Sequence, residues 1–408
     1  MLNRCFNGSS LPAYLINNGC RLVRKGFVLM RFIYLGLVVV LVFVLVGCNS
    51  DTKNSDILWF EEATSFLEGL ALVKVDGKYG YLAADGKYII EPRFEDASPF
   101  AEGLAGVKVK NKWGFIDKTG KIVITPRHDR VFSFAEGSAC VSVGGKWGFI
   151  DKTGKMIIQP QFDNAFPFSE NLAPITVGNW QTGKWGFIDE TGKHVVQPQY
   201  DDASPFSDGL ACIRIGDWQT GKSGYIDAKG KMVIQPQFEF GFAFTAGFAK
   251  IRSEGKYGFI NKTGEIIIPP QFDSTGAFEE GYTSIEKNGK YGFIDQTGAV
   301  IIQTQFDEVS SFQEGLAGVM SKGRWGFINT NGEMIIKPKF DWVGAFRQGI
   351  ANVKSKDKCG FINTNGKMII KPRFDEVLGF SCIGLAAVKV SNKWAYINKD
   401  GEFLKRSK

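Results

Sequence analysis

The chain contains few residues that are able to act as metal ligands or acid–base catalysts. Its two histidines, His128 and His194, are far apart in the sequence, and neither has a Cys, Asp or Glu at a metal-site spacing. We therefore predict no metal site and no cofactor. The cysteines beyond residue 48 form no CxxC pair, which favours small core side chains over a disulfide framework. These are Cys140, Cys212, Cys359 and Cys382.

Acidic residues recur at a fixed place, directly after an aromatic residue. The pairs are Phe94-Glu95, Phe162-Asp163, Phe238-Glu239, Phe272-Asp273, Phe306-Asp307, Phe340-Asp341 and Phe374-Asp375. A glycosidase uses a single pair of carboxylates, whereas these acids return along the whole chain. We interpret the phenylalanine as a core residue and the acid as the cap of a short helical turn. No catalytic residues are predicted, and an envelope hydrolase is the least favoured hypothesis.

Two insertions carry the side chains best suited to binding a ligand. Gly178–Gly183 reads GNWQTG and Gly216–Gly221 reads GDWQTG, and each lengthens the same turn of two neighbouring repeats by four residues. Insertions in repeat proteins map to one face, which is often the binding face. An indole beside an amide suits a sugar, a peptide or a protein surface. The candidate binding residues are Trp180, Gln181, Trp218 and Gln219, and the alternative is that both tryptophans fold back on their own hairpins.

A repeat must position these residues. An aromatic-glycine pair, or its replacement, returns at steps of 34 or 35 residues, apart from the two steps of 38 that contain the insertions. Ten units result, and they fill the chain from about residue 57 to its end. The pairs are Tyr79-Gly80, Trp113-Gly114, Trp147-Gly148, Trp185-Gly186, Ser223-Gly224, Tyr257-Gly258, Tyr291-Gly292, Trp325-Gly326, Cys359-Gly360 and Trp394-Ala395.

Each unit is predicted to form three short antiparallel strands. In the second unit, apolar residues alternate with lysines over Gly103–Lys110, which is typical of a half-buried strand. The second strand is Trp113–Asp117, and the DKTG sequence that follows has turn chemistry. The third strand, Ile122–Ile124, is expected to end before Pro126, which cannot donate to a ladder.

The strings KWGFID..G, I..P.FD and F.EGLA.V together resemble the bacterial WG-repeat family, also called KWG repeats. The resemblance implies an all-β repeat scaffold that has no catalytic residues to transfer. We predict ten units over residues 57–408 in an open, curved, solenoid-like β array. The alternative is a closed, propeller-like ring. Ile57–Glu61 aligns with the third strand of a unit, and the last unit lacks that part, so the two ends of the domain are complementary.

The first 47 residues differ in kind from the rest. They contain five basic residues and no acid, and the apolar run Phe32–Val46 ends in a Leu-Val-Gly-Cys sequence at Cys48. This resembles a bacterial lipoprotein signal, in which cleavage precedes the cysteine and the cysteine is acylated. Met30 is an alternative start, and an uncleaved anchor is the other interpretation. Residues 48–56 then form a lipidated cysteine and a polar linker.

Removing residues 1–47 leaves 44 of the 49 basic residues against 42 acidic ones, a net of +2, so no nucleic-acid surface is indicated. The hypothesis from sequence is a non-catalytic lipoprotein, held on the cell membrane or outer membrane through Cys48 and facing the periplasm or exterior. Its expected partner is another envelope protein, and the alternative is cell-wall glycan.

Overall fold

The computed structural model describes residues 56–179 and 182–407. Cys48 and the rest of the signal region lie outside the described residues, as do Trp180 and Gln181. Residues Ile57–Lys408 form one compact unit. Every regular element described in it is a β-strand, so the all-β prediction is confirmed, and no helix able to cross a bilayer occurs among the described residues.

The strands form ten small antiparallel sheets, or blades, in which strand order follows the sequence. Blade 1 contains β1 (Glu62–Ala63), β2 (Leu70–Val75), β3 (Lys78–Ala83) and β4 (Tyr88–Phe94). Blade 2 contains β5 (Asp96–Ala97), β6 (Leu104–Val109), β7 (Lys112–Asp117) and β8 (Ile122–His128), and blade 3 contains β9 (Arg130–Val131), β10 (Ser138–Val143), β11 (Lys146–Asp151) and β12 (Met156–Phe162). Blade 4 contains β13 (Asn164–Ala165), β14 (Leu172–Val177), β15 (Lys184–Asp189) and β16 (His194–Tyr200), and blade 5 contains β17 (Asp202–Ala203), β18 (Leu210–Ile215), β19 (Lys222–Asp227) and β20 (Met232–Phe238).

The second half of the domain repeats this plan. Blade 6 contains β21 (Phe240–Thr245), β22 (Phe248–Ser253), β23 (Lys256–Asn261) and β24 (Ile266–Phe272), and blade 7 contains β25 (Ser274–Thr275), β26 (Tyr282–Lys287), β27 (Lys290–Asp295) and β28 (Val300–Phe306). Blade 8 contains β29 (Glu308–Val309), β30 (Leu316–Ser321), β31 (Arg324–Asn329) and β32 (Met334–Phe340), and blade 9 contains β33 (Trp342–Val343), β34 (Ile350–Ser355), β35 (Lys358–Asn363) and β36 (Met368–Phe374). Blade 10 contains β37 (Glu376–Val377), β38 (Ala386–Val390) and β39 (Lys393–Ile397).

The blades differ from the expected three-stranded unit in two ways. A short strand, only two residues long in most blades, precedes the three long ones and pairs with the next strand. The last long strand also runs through its proline instead of ending before it. Between the pairs Trp147–Phe162 and Phe149–Ile158, the register of β11 and β12 shifts. This bulge accommodates Pro160, because the proline lies where the edge strand leaves the ladder.

The first long strand is buried on both faces, not on one as its alternating sequence predicted. Leu104–Val107 are all buried in β6, although polar and apolar residues alternate further along the strand. The reason is that each blade packs a neighbour on both sides. Ten hydrophobic clusters result, one at each junction between successive blades.

The cluster at the junction of blades 10 and 1 joins the two ends of the domain. It combines Leu58, Phe60 and Phe66 with Trp394 and Tyr396. The amides and carbonyls of Phe60 and Trp394 exchange two hydrogen bonds of 2.8 Å. The N-terminal segment thus supplies the missing fourth strand of blade 10, in the place that Phe94 occupies opposite Tyr79 in blade 1. The domain is therefore a closed ten-bladed β-propeller ring, the alternative stated above, and not the open array.

The recurring acid is not the cap of a helical turn. Asp163, for example, forms an ion pair with Lys146 at 2.5 Å and accepts a hydrogen bond from the Gly178 amide at 2.8 Å. Lys146 belongs to blade 3 and Gly178 to blade 4, so the carboxylate ties neighbouring blades together. The phenylalanine before it, Phe162, is buried as expected.

All four cysteines of the described residues are free thiols. Cys140, Cys212 and Cys359 are buried, which agrees with the core interpretation. Cys382 is exposed, so the same interpretation is wrong for that residue. It lies between the first two strands of blade 10, where the sequence departs from the other units.

Candidate functional site

The turns between the second and third strands of all blades lie at one end of the ring, which we call the hairpin end. This follows from the antiparallel meander, in which successive connections alternate between the two ends of the strands. Both four-residue insertions belong to this class of turn. They are therefore neighbours on the hairpin end of blades 4 and 5.

The backbone of each long hairpin is organised by its first polar residue. In blade 5 the Asp217 carboxylate accepts hydrogen bonds from the amides of Gln219 and Thr220 at 2.8 and 2.7 Å. These bonds, with that from the Thr220 hydroxyl, hold the pKa of Asp217 below its ordinary value. In blade 4, Asn179 caps its turn in the same way through the Thr182 amide at 2.9 Å.

The capped turn projects Trp218 into solvent. Its exposed fraction is 71%, the largest among the large hydrophobic residues of the described chain, and Gln219 beside it is also exposed. Trp218 therefore does not fold back on its own hairpin. The equivalent pair in blade 4, Trp180 and Gln181, lies outside the described residues, so the pairing of the two tryptophans stays a prediction.

One carboxylate connects the bases of the two long hairpins. Asp201 accepts a hydrogen bond from Lys184, the residue that follows the blade 4 hairpin, and another of 2.8 Å from the amide of Gly216, which begins the blade 5 hairpin. Partial burial opposes the charge of Asp201, but these two donors keep its pKa below the ordinary value. The two insertions are thus held side by side.

A buried arginine braces the blade 5 hairpin from below. Arg214 has an exposed fraction of 8%, and its guanidinium donates to the carbonyl oxygens of Asp217 and Trp218, both at 3.0 Å, and of Glu239 at 2.6 Å. Its partner across the strand pair is Ser223, which stands where most units have an aromatic residue. The small serine leaves room for the guanidinium. Sequence reasoning noticed Ser223 as a departure but missed Arg214.

Aliphatic side chains extend this surface over blades 3 to 5. Val143, Val177 and Ile215 each end the strand that leads into the turn, and their exposed fractions are 41%, 49% and 49%. The same position holds half-buried valines in blades 1, 2 and 10. In blades 6 to 9 it is polar, with Ser253, Lys287, Ser321 and Ser355. We call Val143, Val177, Ile215 and Trp218 the apolar hairpin patch.

The two histidines lie in separate blades and face no common site. His128 replaces the buried phenylalanine of its unit and is itself fully buried, and neither ring nitrogen has a hydrogen-bond partner. Burial, with a smaller contribution from Arg127, lowers the pKa of His128 to about 4. His194 is half-buried and packs edge-on against Phe162, with 6.2 Å between ring centroids.

Two clefts have volumes of about 340 and 280 Å³. The first lies at the junction of blades 2 and 3, and the second lies within blade 7. Arg127 lines the first, where it donates to the carbonyl oxygen of Gly154 at 2.9 Å. Over residues 56–179 and 182–407, no group of three or more His, Cys, Asp or Glu side chains is arranged to hold a metal ion.

Comparison with known families identifies the repeat. The family model described as "WG containing repeat" matches ten successive segments of the chain, at residues 60–79, 79–113, 113–147, 147–179, 185–217, 224–257, 257–291, 291–325, 325–359 and 360–394. Most matches run from about one aromatic-glycine position to the next, and together they cover well over half of the chain. A comparison with curated proteins found no match.

Solved structures show distant similarity. A eukaryotic initiation factor is 11% identical, with a TM-score of 0.48 over 76% of this chain and 97% of its own. The extracellular domain of a putative hybrid two-component system from B. thetaiotaomicron is 10% identical, with a TM-score of 0.26 over 88% of this chain and 59% of its own. Hsv2 from Kluyveromyces marxianus is 10% identical, with a TM-score of 0.35 over 61% of this chain and 98% of its own.

Proposed function

The chain belongs to the family of proteins built from WG-containing repeats, and from that premise we propose that it is a non-catalytic binding protein of the cell envelope. The apolar hairpin patch is the observation that carries this proposal. Three adjacent blades carry exposed aliphatic or aromatic side chains at equivalent positions, whereas the equivalent positions of blades 6 to 9 are polar. Grouped exposed apolar residues of this kind mark interaction surfaces.

A protein is the partner that fits this surface best. Val143, Val177 and Ile215 offer apolar area and no hydrogen-bonding groups, which suits the apolar core of a protein interface. Trp218 would be the aromatic anchor at its blade 5 end. The ion pairs that surround the hairpin bases, such as that of Lys184 with Asp201, would form a polar rim.

Cell-wall glycan is the second candidate ligand. It is favoured by Trp218 and Gln219, which together present an exposed indole face and an amide at one hairpin tip. Sugar rings stack on aromatic faces and their hydroxyls bind amides. In this case Trp218, with Trp180 of the neighbouring hairpin, would dominate binding, and the aliphatic residues would matter little.

We also propose that the ring is attached to the membrane through a lipid on Cys48, as the Leu-Val-Gly-Cys sequence and the apolar run before it predict. A Cys48→Ser variant should then lose labelled palmitate and move from the membrane fraction to the soluble fraction. Retention of the label by Cys48→Ser would contradict the lipoprotein assignment and leave the binding proposal standing.

Site-specific photo-crosslinking in native envelopes tests the binding surface. A photoreactive amino acid at Val177 should give a discrete protein adduct, and the same amino acid at Ser321, the equivalent position of blade 8, should not. The identified partner should then bind a purified Val177→Ser/Ile215→Ser double variant at least tenfold more weakly than wild type.

The alternatives give different results. Equal adducts from Val177 and Ser321 would contradict a binding site at the patch. If no protein adduct forms, and purified cell-wall glycan quenches tryptophan fluorescence in wild type but not in a Trp180→Ala/Trp218→Ala variant, the glycan candidate replaces the protein partner.

A further inference from the structure

The junction of blades 6 and 7 contains a lysine at a position that is uncharged in every other blade. Lys250 lies in the middle of β22 and pairs with Phe259 of the next strand. The equivalent residues of the other blades are small, polar or apolar, namely Leu72, Gly106, Cys140, Pro174, Cys212, Ser284, Gly318, Asn352 and Ala387. The packing of the repeat therefore does not require a charged residue at this position.

The ammonium of Lys250 is half-buried without a counter-charge. It lies 4.4 Å from the ring centroid of Phe242 and 5.5 Å from that of Tyr257. Its one hydrogen bond is to the carbonyl oxygen of Thr275 in blade 7, at 3.2 Å. No carboxylate lies within ion-pair distance of it in the part of the chain that the structure describes. Burial accordingly lowers the pKa of Lys250.

A second cation contacts the same aromatic ring. The guanidinium of Arg252 lies 5.8 Å from the centroid of Tyr257, and Arg252 is two positions after Lys250 on the same face of β22. Its Nε is buried and has no hydrogen-bond partner. Arg252 forms an ion pair with Glu239 at 3.7 Å, which is too long for a hydrogen bond.

Blades 1 and 10 neutralise the cation at the position of Arg252 with an acid of the short strand. Lys74 in blade 1 and Lys389 in blade 10 each pair at 2.8 Å with a glutamate of the adjacent short strand, Glu62 and Glu376. In blade 6 that position is Phe240, so the carboxylate is replaced by an aromatic ring. Among the described residues, Lys250 therefore has no protein counter-charge at this junction, and Arg252 has only its 3.7 Å ion pair with Glu239.

Thr275 supplies an independent indication of a ligand. Its exposed fraction is 7%, and its hydroxyl is buried and has no hydrogen-bond partner, although its carbonyl oxygen is bound by Lys250. Buried hydroxyl groups are normally partnered by protein or water, because an unsatisfied one keeps the full cost of its desolvation. The hydroxyl thus belongs to the residue whose carbonyl oxygen binds the unpaired ammonium of Lys250.

We propose that Lys250, Arg252 and Thr275 form a binding site for a small oxyanion at the junction of blades 6 and 7. The ligand group is a carboxylate or a phosphate, because both accept charge-assisted hydrogen bonds from ammonium and guanidinium groups and a further bond from a hydroxyl. Both cations lie beside the ring of Tyr257, at 5.5 and 5.8 Å from its centroid. This site is independent of the apolar hairpin patch.

Isothermal titration of the full chain tests the proposal with two probes, inorganic phosphate and acetate, at constant ionic strength set with chloride. One of the two should bind saturably, and the identity of the binding probe tells phosphate from carboxylate ligands. Lys250→Met and Arg252→Met should each weaken that binding at least tenfold. Lys389→Met, which removes a cation that already has a glutamate partner, should bind as wild type.

Thr275→Val keeps the result interpretable if a charge variant loses stability, because it is nearly isosteric and removes only the hydroxyl. It should also weaken binding, whereas the Val177→Ser/Ile215→Ser variant of the hairpin patch should not. If neither probe binds wild type, or if Lys250→Met binds as tightly as wild type, the site does not exist and Lys250 serves only to pack on its aromatic neighbours.

Discussion

The hydroxyl of Tyr396 donates a hydrogen bond of 2.6 Å to the carbonyl oxygen of Thr64, 332 residues earlier in the chain. Tyr81 makes the equivalent bond to Ser98, 17 residues later, at 2.7 Å. The ring of Tyr396 also packs on Phe66 with 5.0 Å between centroids, much as Tyr81 packs on Phe100 at 4.8 Å. Blades 10 and 1 therefore meet through the same contact as blades adjacent in sequence.

This equivalence predicts that Tyr396→Phe and Tyr81→Phe destabilise the protein equally. Each leaves one buried carbonyl oxygen without its donor, at a cost of about 1 kcal/mol. Urea unfolding of both variants and wild type measures the effect. A Tyr396→Phe variant with the stability of wild type, beside a destabilised Tyr81→Phe, would show that the ring is open in solution.

The ring shows which parts of the fold follow from the sequence. The ten units, their turns and the buried phenylalanines follow from the repeat, because each residue performs the same packing task ten times. Closure does not follow, since it depends on the small rotation between neighbouring blades, and no single residue encodes that angle. The complementarity of Ile57–Glu61 with the last unit was the available signal, and Phe60 now fills the place it indicated.

The candidate site was accessible from the sequence only in part. The insertions located the hairpins because they break the period, and Trp218 is exposed as a binding residue requires. The exposure of Val177 and Ile215 could not be predicted from the sequence. An aliphatic residue at the end of a strand fits the same sequence pattern whether a neighbouring blade covers it or not. The burial of Arg214 likewise depends on the space left by Ser223.

A second prediction concerns the glycine of the aromatic-glycine pair. A Cβ added at Gly326 would lie 2.2 Å from the carbonyl oxygen of Ile336 and 2.7 Å from the nitrogen of Pro338, because the bulged edge strand approaches closely there. Gly326→Ala should therefore lower the free energy of unfolding by about 1–3 kcal/mol or more, measured by urea denaturation.

Blade 10 provides the matched control, because it has Ala395 at this position. Its edge strand is the segment that ends at Phe60, and Ala395 is accommodated there with no exposed area. Ala395→Gly should change stability by at most about 1 kcal/mol. If Gly326→Ala proves as mild as Ala395→Gly, close approach of the edge strand is not the reason for the glycine.

A third prediction concerns pH. The pKa of His128 is lowered to about 4 in the folded protein, below the ordinary value of 6.5, so the unfolded chain binds more protons between these values. Stability should therefore fall as the pH is lowered from about 6.5 to 4, by at most about 1.4 kcal/mol per pH unit from this residue. His128→Phe, which restores the phenylalanine of the other units, should remove this part of the pH dependence.

Thermal unfolding of wild type and His128→Phe between pH 7 and pH 4 measures the difference. The variant should be more stable already at pH 7, because it no longer buries two ring nitrogens without partners. Parallel profiles for wild type and His128→Phe would mean that His128 is hydrated or partnered in solution.

The last prediction links Arg214 to the hairpin that carries Trp218. Arg214→Met keeps most of the side-chain volume but removes the donors to Asp217, Trp218 and Glu239. Hydrogen bonds from charged groups contribute about 1.5–3 kcal/mol each. The hairpin should then open locally more often. The hydrogen-exchange rate of the Gly221 amide, which donates to the Asp217 carbonyl oxygen at 2.9 Å, should rise at least tenfold.

The Gly183 amide of blade 4 is the control. It makes the same bond to the Asn179 carbonyl oxygen, but its blade has Thr176 in the place of Arg214, so its hydrogen-exchange rate should not change. Equal exchange at Gly221 in both proteins would mean that the Asp217 cap alone holds the turn, and that Trp218 is positioned without the buried arginine.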